Sequence, residues 1–250
     1  MNKIEIYRYF LKDSIRKAID FRTTDQSKGL PAPPIEKPFD PDALRIKLPR
    51  PDQWMPHIDK TDLVSAMSGR RSRRKFRSAG LSMEELAFLL WATQGIRQPA
   101  HAHFAYRIVP SAGARHSFET YLFAMRVDGL AQGLYRYLPI ENELLWINEV
   151  EDMKKRLSRA CLGQDFVSKG AATFVWAAVP YRMEWRYDLA AHRVILIDAG
   201  HVCQNLYLAC EAIHAGACAV GAYDQEQLDE LLQIDGADEF AVYLAPVGKI

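Results

Sequence analysis

Residues 172–181 read ATFVWAAVPY, a run that is apolar at odd and even positions alike. Successive side chains of a strand point to opposite faces, so such a run is satisfied only where both faces of its sheet are covered. The segment therefore predicts a central strand with packed layers on either side. With 250 residues and 49% hydrophobic side chains the chain has enough apolar material for those layers, in one domain or two small ones.

The rest of the chain supplies candidates for the layers. In residues 3–20, Ile4, Tyr7, Leu11, Ile15 and Ala18 recur at three- and four-residue intervals, which predicts a helix forming a separate arm. From 29 to 56, Pro31, Pro33, Pro34, Pro38, Pro41, Pro49, Pro51 and Pro56 remove backbone donors, so this stretch is expected to run extended over a surface. LSMEEL then offers Ser82 as a helix N-cap with Glu85 as its capping-box partner, and the apolar run that follows stops near Gly95. Strands are predicted at 104–109, 119–127, 133–138 and 143–148, with a DGL turn at 128–130, which suggests a mainly antiparallel sheet. A helix over 193–214 carries Val194, Ile197, Val202, Leu206, Ala209 and Ile213 around its circumference, so it is expected to be covered on several sides, partly by a second subunit, with Gly216 as its stop. A short helix from Asp224 and a strand at 240–248 complete an α+β pattern, a central mainly antiparallel sheet flanked by helices. The expected division is an arm with a Pro-rich segment over 1–60 and a folded domain over 61–250.

Acidic and basic residues cancel to a net charge of +1, which gives no reason to expect nucleic acid or an anionic membrane as partner; any anion site must be local. The first 21 residues scatter charges where a signal peptide needs an apolar core, and no stretch approaches the roughly 20 apolar residues of a membrane span. Cys161, Cys203, Cys210 and Cys218 show no paired CxxC spacing and are expected to be reduced, mostly buried thiols of a cytoplasmic protein.

The densest polar feature is RRSRRKFR at 70–77. Guanidinium groups bind phosphate through paired hydrogen bonds and a neighbouring hydroxyl adds a donor, so Arg70, Arg71, Ser72 and Arg74 suit a phosphate monoester; a solvated basic face is the other reading of the same run. After it, in order, stand LLWATQGI at 89–96, PSAGARHSFE at 110–119, GLYRY at 133–137 and IDAGHVCQNL at 197–206. Five ordered motifs of this kind resemble the nitroreductase family, in particular its azoline-dehydrogenase-like (SagB-type) branch, over roughly 70–250. The resemblance implies a nitroreductase-like fold, an intertwined homodimer, FMN as cofactor, NADH or NADPH as electron donor, and a small-molecule substrate.

Carried over residue by residue, the resemblance assigns Arg70, Arg71, Ser72 and Arg74 to the FMN phosphate and ribityl chain. It places Pro110, Ser111, Ala112 and Gly113 at the isoalloxazine ring of the other subunit, although a Pro-Ser-Ala-Gly sequence taken alone is simply a turn. GACAVGAY at 216–223 resembles the segment whose backbone amide approaches flavin N5, which puts Ala219, Val220, Gly221 and Ala222 at the ring; by itself it reads equally as a small-residue helix exit. Near the end, Lys249 is the candidate for a further phosphate contact, where relatives with longer tails place an arginine.

The sequence departs from the branch at WRYDLAAHR, residues 185–193. Azoline dehydrogenases carry Lys-Tyr where Arg186 and Tyr187 stand, the lysine acting with the tyrosine in proton removal. An arginine stays protonated and is a poor base, so Arg186 instead binds an anionic substrate, fixes Tyr187, or is a plain surface residue. His101 and His103 alternate without a third ligand, and His192, His201 and His214 fall at irregular helical spacings, so no metal is assigned. The expected activity is two-step hydride transfer through flavin N5, either from NAD(P)H to an organic acceptor or out of a small heterocycle. A non-catalytic flavin- or partner-binding protein is the alternative, with a nucleic-acid binder using 70–77 a distant third.

Overall fold

The run at 172–178 lies in the interior of a seven-stranded sheet in the computed structural model, which describes residues 2–98 and 104–250. In chain order the elements are α1 (Lys3–Leu11), β1 (Arg45–Lys47), α2 (Pro51–Trp54), α3 (Leu63–Gly69), α4 (Met83–Gln94), β2 (Phe118–Ala124), β3 (Gly133–Leu138) and β4 (Glu143–Asn148). There follow α5 (Met153–Ala160), β5 (Ala172–Ala178), α6 (Tyr181–Tyr187), α7 (Ala191–Glu211), β6 (Ala215–Ala217), α8 (Gln225–Leu232) and β7 (Phe240–Lys249). The strands lie in the order β1-β4-β3-β2-β5-β7-β6, every neighbouring pair antiparallel. This is the α+β sandwich expected from the sequence.

Both faces of β5 are covered, as its composition requires. Ala172, Phe174, Trp176 and Ala178 pack with Leu86, Leu89 and Leu90 of α4 and with Val202 and Leu206 of α7. Val175 and Ala177 point the other way, against Leu157 of α5 and Leu228, Leu231 and Leu232 of α8. Full burial of each large apolar side chain contributes roughly 1.5–3 kcal/mol, so the two layers together outweigh any local preference in the strand. Ser82 caps α4 and forms the predicted box with Glu85. Among the described residues no helix is long and apolar enough to cross a membrane.

Four local expectations are corrected. Residues 104–109 form no strand; Arg107 makes a single bridge to Ile96, and its guanidinium turns inward to Gln94 at 2.6 Å and the Ile35 carbonyl at 2.8 Å. The helix expected over 3–20 ends at Leu11, and 3-10 turns follow at 13–18, where Asp13 is drawn to Arg16 and to Arg193 of α7. The helix at 193–214 runs from Ala191 to Glu211. Gly216 does not stop it but lies in β6, where an added Cβ would come 2.4 Å from the Arg73 side chain. His101 and His103 lie outside the described residues.

The Pro-rich segment is strapped down by buried charge. Glu119 of β2 is held by Arg182, which is itself buried, accepts from the Lys37 amide at 2.8 Å and faces Arg136 at 3.9 Å. Burial works against ionisation of Glu119, but Arg182 and Arg136 together hold its carboxyl below the usual range. Arg136 donates to the carbonyls of Lys37 and Pro38, and Lys37 bonds Glu239. Burial, reinforced by Glu141, pushes the neighbouring Glu36 carboxyl up to about 8, so this acid adds no charge to the strap at neutral pH. Removing one member of a buried ion pair leaves the other uncompensated, which costs about 3–5 kcal/mol, whereas an exposed pair contributes under about 1 kcal/mol. Accordingly, Glu119→Ala is expected to lower the denaturant-unfolding free energy by about 3–5 kcal/mol, and Asp20→Ala, in the exposed pair with Arg22, by far less.

Candidate cofactor and active site

Two clusters of the expected site residues form on the same support, the helix α7. The first is built where α3 ends. The Arg70 amide closes that helix on the Ala66 carbonyl at 3.1 Å, and the chain then runs beside β6, with Ser72 bridging to Ala217 and the Arg73 amide donating to the Ala217 carbonyl at 2.8 Å. Tyr207 of α7 joins the two segments: its hydroxyl shares a 3.0 Å hydrogen bond with Ser72 Oγ and accepts the Ala219 amide at 2.7 Å. Arg70 lies over the Tyr207 ring, 5.3 Å from its centroid, and Arg74 over Phe166 at 5.7 Å.

This cluster can hold an anion. Arg70, Arg71 and Arg74 enter no ion pair among the described residues. Next to them the 218–222 segment presents small side chains. The Val220 amide is used by Leu244 at 2.8 Å, whereas the amides of Gly221 and Ala222 donate to no protein acceptor among the described residues, and both residues are exposed. A Cβ added at Gly221 would meet only Tyr243, at 3.9 Å, so the backbone there is open to close approach. Free guanidinium groups beside free amides and a small-residue surface fit the phosphate and ring edge of a flavin mononucleotide. Cys218 lies in the same cluster; burial pushes its thiol up, partly offset by Arg74. All four cysteines are free and buried.

Lys249 does not join this cluster. Its ammonium is bonded to Glu85 and to the Ile213 carbonyl, contacts that fasten the end of β7 to α4 and to the exit of α7.

The second cluster forms around Asp198 of α7. The Ser111 hydroxyl and the Ala112 amide face the Asp198 carboxylate; burial raises its pKa, and those two donors with His201 oppose the rise. Ser111 Oγ also accepts the His116 amide at 2.9 Å. Gly113 has φ +58°, and a Cβ there would fall 2.5 Å from the Tyr187 hydroxyl and 3.2 Å from Arg186 Cζ. Glycine is therefore required twice over, by the backbone angle and by the approach of α6. Pro110, Ser111, Ala112 and Gly113 thus stand together with Arg186 and Tyr187, and a cavity of about 780 Å³ opens beside them.

Tyr207 and Asp198 carry these clusters, and the sequence reading assigned a role to neither. Asp198 was visible as a lone acid on an otherwise apolar helix face. Tyr207 gave no signal beyond following the IDAGHVCQNL motif. Two further histidines pair singly with carboxylates, His192 with Glu184 and His214 with Asp59, both at 2.7 Å, and among the described residues no group of three ligating side chains is placed for a metal ion. Tyr207→Phe leaves the Ala219 amide without its acceptor, and the expected loss is about 1–3 kcal/mol of unfolding free energy by denaturant titration. A loss below about 0.5 kcal/mol, the size of an indifferent surface change, would show that Tyr207 does not hold the two segments together.

Comparison with known proteins adds four findings. Residues 67–249 match the model of the nitroreductase family. A protein of Methanocaldococcus jannaschii named as a nitroreductase is 30% identical over 195 residues, covering 78% of this chain and 94% of its own. Among solved structures, a protein of Ralstonia eutropha named as a nitroreductase is 25% identical with a TM-score of 0.67, covering 88% of this chain and 98% of its own. The E. coli microcin synthetase McbBCD complex with truncated pro-MccB17 bound shares the fold over 100% of this chain and 98% of its own, at 17% identity and a TM-score of 0.61.

Proposed function

The chain belongs to the nitroreductase family of FMN-dependent oxidoreductases, and from that premise we propose an interlocked homodimer in which each flavin is held by both protomers. One protomer supplies the phosphate cradle of Arg70, Arg71, Ser72 and Arg74 with the segment Ala219, Val220, Gly221 and Ala222, whose last two amides are free. The other supplies the ring wall of Pro110, Ser111, Ala112 and Gly113, backed by Arg186 and Tyr187. The observation that carries this reading is the cluster around Tyr207, where unpaired guanidinium groups and free amides meet on one small-residue surface. Lys249, tied to Glu85 and the Ile213 carbonyl, has no part in this cradle.

The spacing of the two clusters supports sharing between chains. Asp198 and Tyr207 are separated by nine residues of α7, about 13.5 Å along the axis, so the two clusters lie at different levels of one helix. The helix also has an uncovered side: Leu196 and Ile197 are exposed, Gly200 has open space around its Cα, and Leu63, Val64 and Met67 of α3 are exposed as well. A monomer would leave this apolar surface in water; a second copy covers it and brings the partner's ring wall to the cradle. Residues 61–250 form the flavin-binding unit in this reading, and 1–60 an arm and strap.

Bound FMN supplies hydride transfer at N5, from NADH or NADPH to an organic acceptor or out of a small heterocycle. The chain's own residues bind, orient and set the proton supply. The Gly221 and Ala222 amides, which have no protein acceptor among the described residues, would stabilise negative charge on a ring bound beside them. Arg186 cannot take a proton at neutral pH, which favours the reductive direction, whose proton comes from solvent or a nearby donor. The motif order supports the SagB-type branch, with Arg186 as its point of departure.

Replacing Arg70 and Arg74 together by alanine is expected to weaken FMN binding by about 1.5–3 kcal/mol for each lost charge-assisted contact, read by fluorescence titration. Light scattering of the holoprotein is expected to give twice the 28.5 kDa chain mass. Recovery of no flavin after reconstitution, or a monomer that holds flavin, contradicts the reading. A second test concerns direction. Conversion of a peptide thiazoline to thiazole is expected to be slow beside NAD(P)H-driven reduction of nitro compounds or quinones. Arg186→Lys, a residue whose pKa burial can lower, should raise that conversion at unchanged flavin content. Comparable rates in the unmodified protein would mean that Tyr187 or another group supplies the base.

A further inference from the structure

The cavity beside the PSAG loop is walled by four arginines, Arg97, Arg107, Arg115 and Arg186, and by no carboxylate among the described residues. Residues 99–103, PAHAH, contain no acid either. Two of the arginines are committed to the fold. Arg107 donates to Gln94 and to the carbonyls of Phe118 and Ile35; Arg115 donates to the Arg182 carbonyl at 3.1 Å and lies 4.8 Å over Trp185. The other two are not. Arg97 and Arg186 meet aromatic rings, Tyr106 at 5.9 Å and Tyr187 at 5.5 Å, and their guanidinium groups reach no acceptor among the described residues.

Positive charge predominates at the cavity wall, the nearest ionised carboxylate, Glu119, lying behind it with Arg182, and its effect is visible on neighbouring groups. Burial, then Arg107, Arg115 and Arg182, push His116 down to about 2, so this histidine stays neutral. Burial lowers the pKa of Arg115 as well, and Arg186 and Arg182 lower it further. An anion entering the cavity would relieve these repulsions, and with a planar carboxylate a guanidinium forms two parallel hydrogen bonds. Phe104, Tyr106 and Trp185 supply flat apolar wall, and the volume of about 780 Å³ lies within the range of small-molecule sites.

We infer that this cavity takes a planar aromatic or heteroaromatic substrate bearing a carboxylate, with Arg97 and Arg186 as its specificity-determining residues. The inference rests on the flavin reading above in treating the PSAG loop as the border of the reacting ring. The binding preference itself does not require turnover.

The test is calorimetric titration of the oxidised holoprotein with 4-nitrobenzoate and with 4-nitrobenzamide, which differ only in the anionic group. The carboxylate is expected to bind at least about tenfold more tightly, and most of that preference to be lost in Arg97→Gln and in Arg186→Gln. Arg97→Lys, which keeps the charge but not the fork, should retain part of it. Arg97 is exposed, so its replacement leaves the core intact, and thermal unfolding of each variant confirms this. Equal affinity for the two ligands overturns the inference. So does a change confined to the NADPH-over-NADH preference in the variants, which would assign the arginines to the donor's phosphate. Flavin content measured on the same samples separates the two readings: protein that takes up no FMN refutes the flavin site, while flavin-loaded protein without the carboxylate preference refutes this inference alone.

Discussion

Glu119 is a carboxylate buried near the start of a central strand, and much of the molecule is arranged to make its charge tolerable. Arg182 reaches it from α6, Arg136 from β3, and the Lys37 amide from the Pro-rich segment. Each of these contacts fixes a different piece of chain against the sheet. Through Arg182 the charge positions α6, and with it Arg186 and Tyr187; through Lys37 and Arg136 it positions residues 35–38, whose carbonyls in turn hold Arg107 and Arg136. A buried charge network of this sort adds little net stability over a well-packed apolar one, but every member depends on the others being in place. Here it gives a proline-rich strap, which has few amides to offer, a defined seat on the sheet.

The helix α7 does the corresponding work for the site. Its buried face packs under β5 and against α4, and two polar side chains on it organise everything expected to touch the cofactor: Asp198 sets the PSAG loop, and Tyr207 joins Ser72 to Ala219. Because both project from a rigid rod, the loop and the cradle keep a fixed separation. The same helix leaves Leu196 and Ile197 uncovered, so the element that builds the site is also the one that asks for a second copy. The cavity's charge follows from the same arrangement. Arg115 and Arg107 are buried for structural reasons, and Arg115 and Arg186 act on each other across the cavity wall.

Much of this was legible before any coordinates. The two-sided run at 172–178, the Ser82–Glu85 box and the strand-like segments at 133–138 and 143–148 are local patterns, and local patterns survive into the fold whenever packing agrees with them. The failures share a cause. Residues 104–109 look like a strand, yet Arg107 is drawn inward by Gln94 and Ile35, partners that no window around 107 contains. Residues 3–20 have a helical period throughout, but Asp13 is claimed by Arg193, far along the chain, and the helix stops before it. Gly216 resembles a helix stop because glycine is suited to that role; its actual place, paired in β6 with Gly248 of β7 under the Arg73 side chain, depends on partners that no window around 216 contains.

The sequence by itself therefore determined the class of fold, the central strand, the ordered motifs of the nitroreductase family and the candidates proposed for the flavin, since each is written in side-chain chemistry at fixed spacing. Only the tertiary structure decided which of those residues meet. It placed Arg70 and Ser72 with Ala219 through Tyr207, Gly113 with Arg186 and Tyr187, and Lys249 with Glu85 instead of the cradle. The physical reason is that hydrogen bonds and ion pairs act over a few ångströms of space and are indifferent to separation along the chain, so their partners are fixed only once the hydrophobic layers have brought distant segments together.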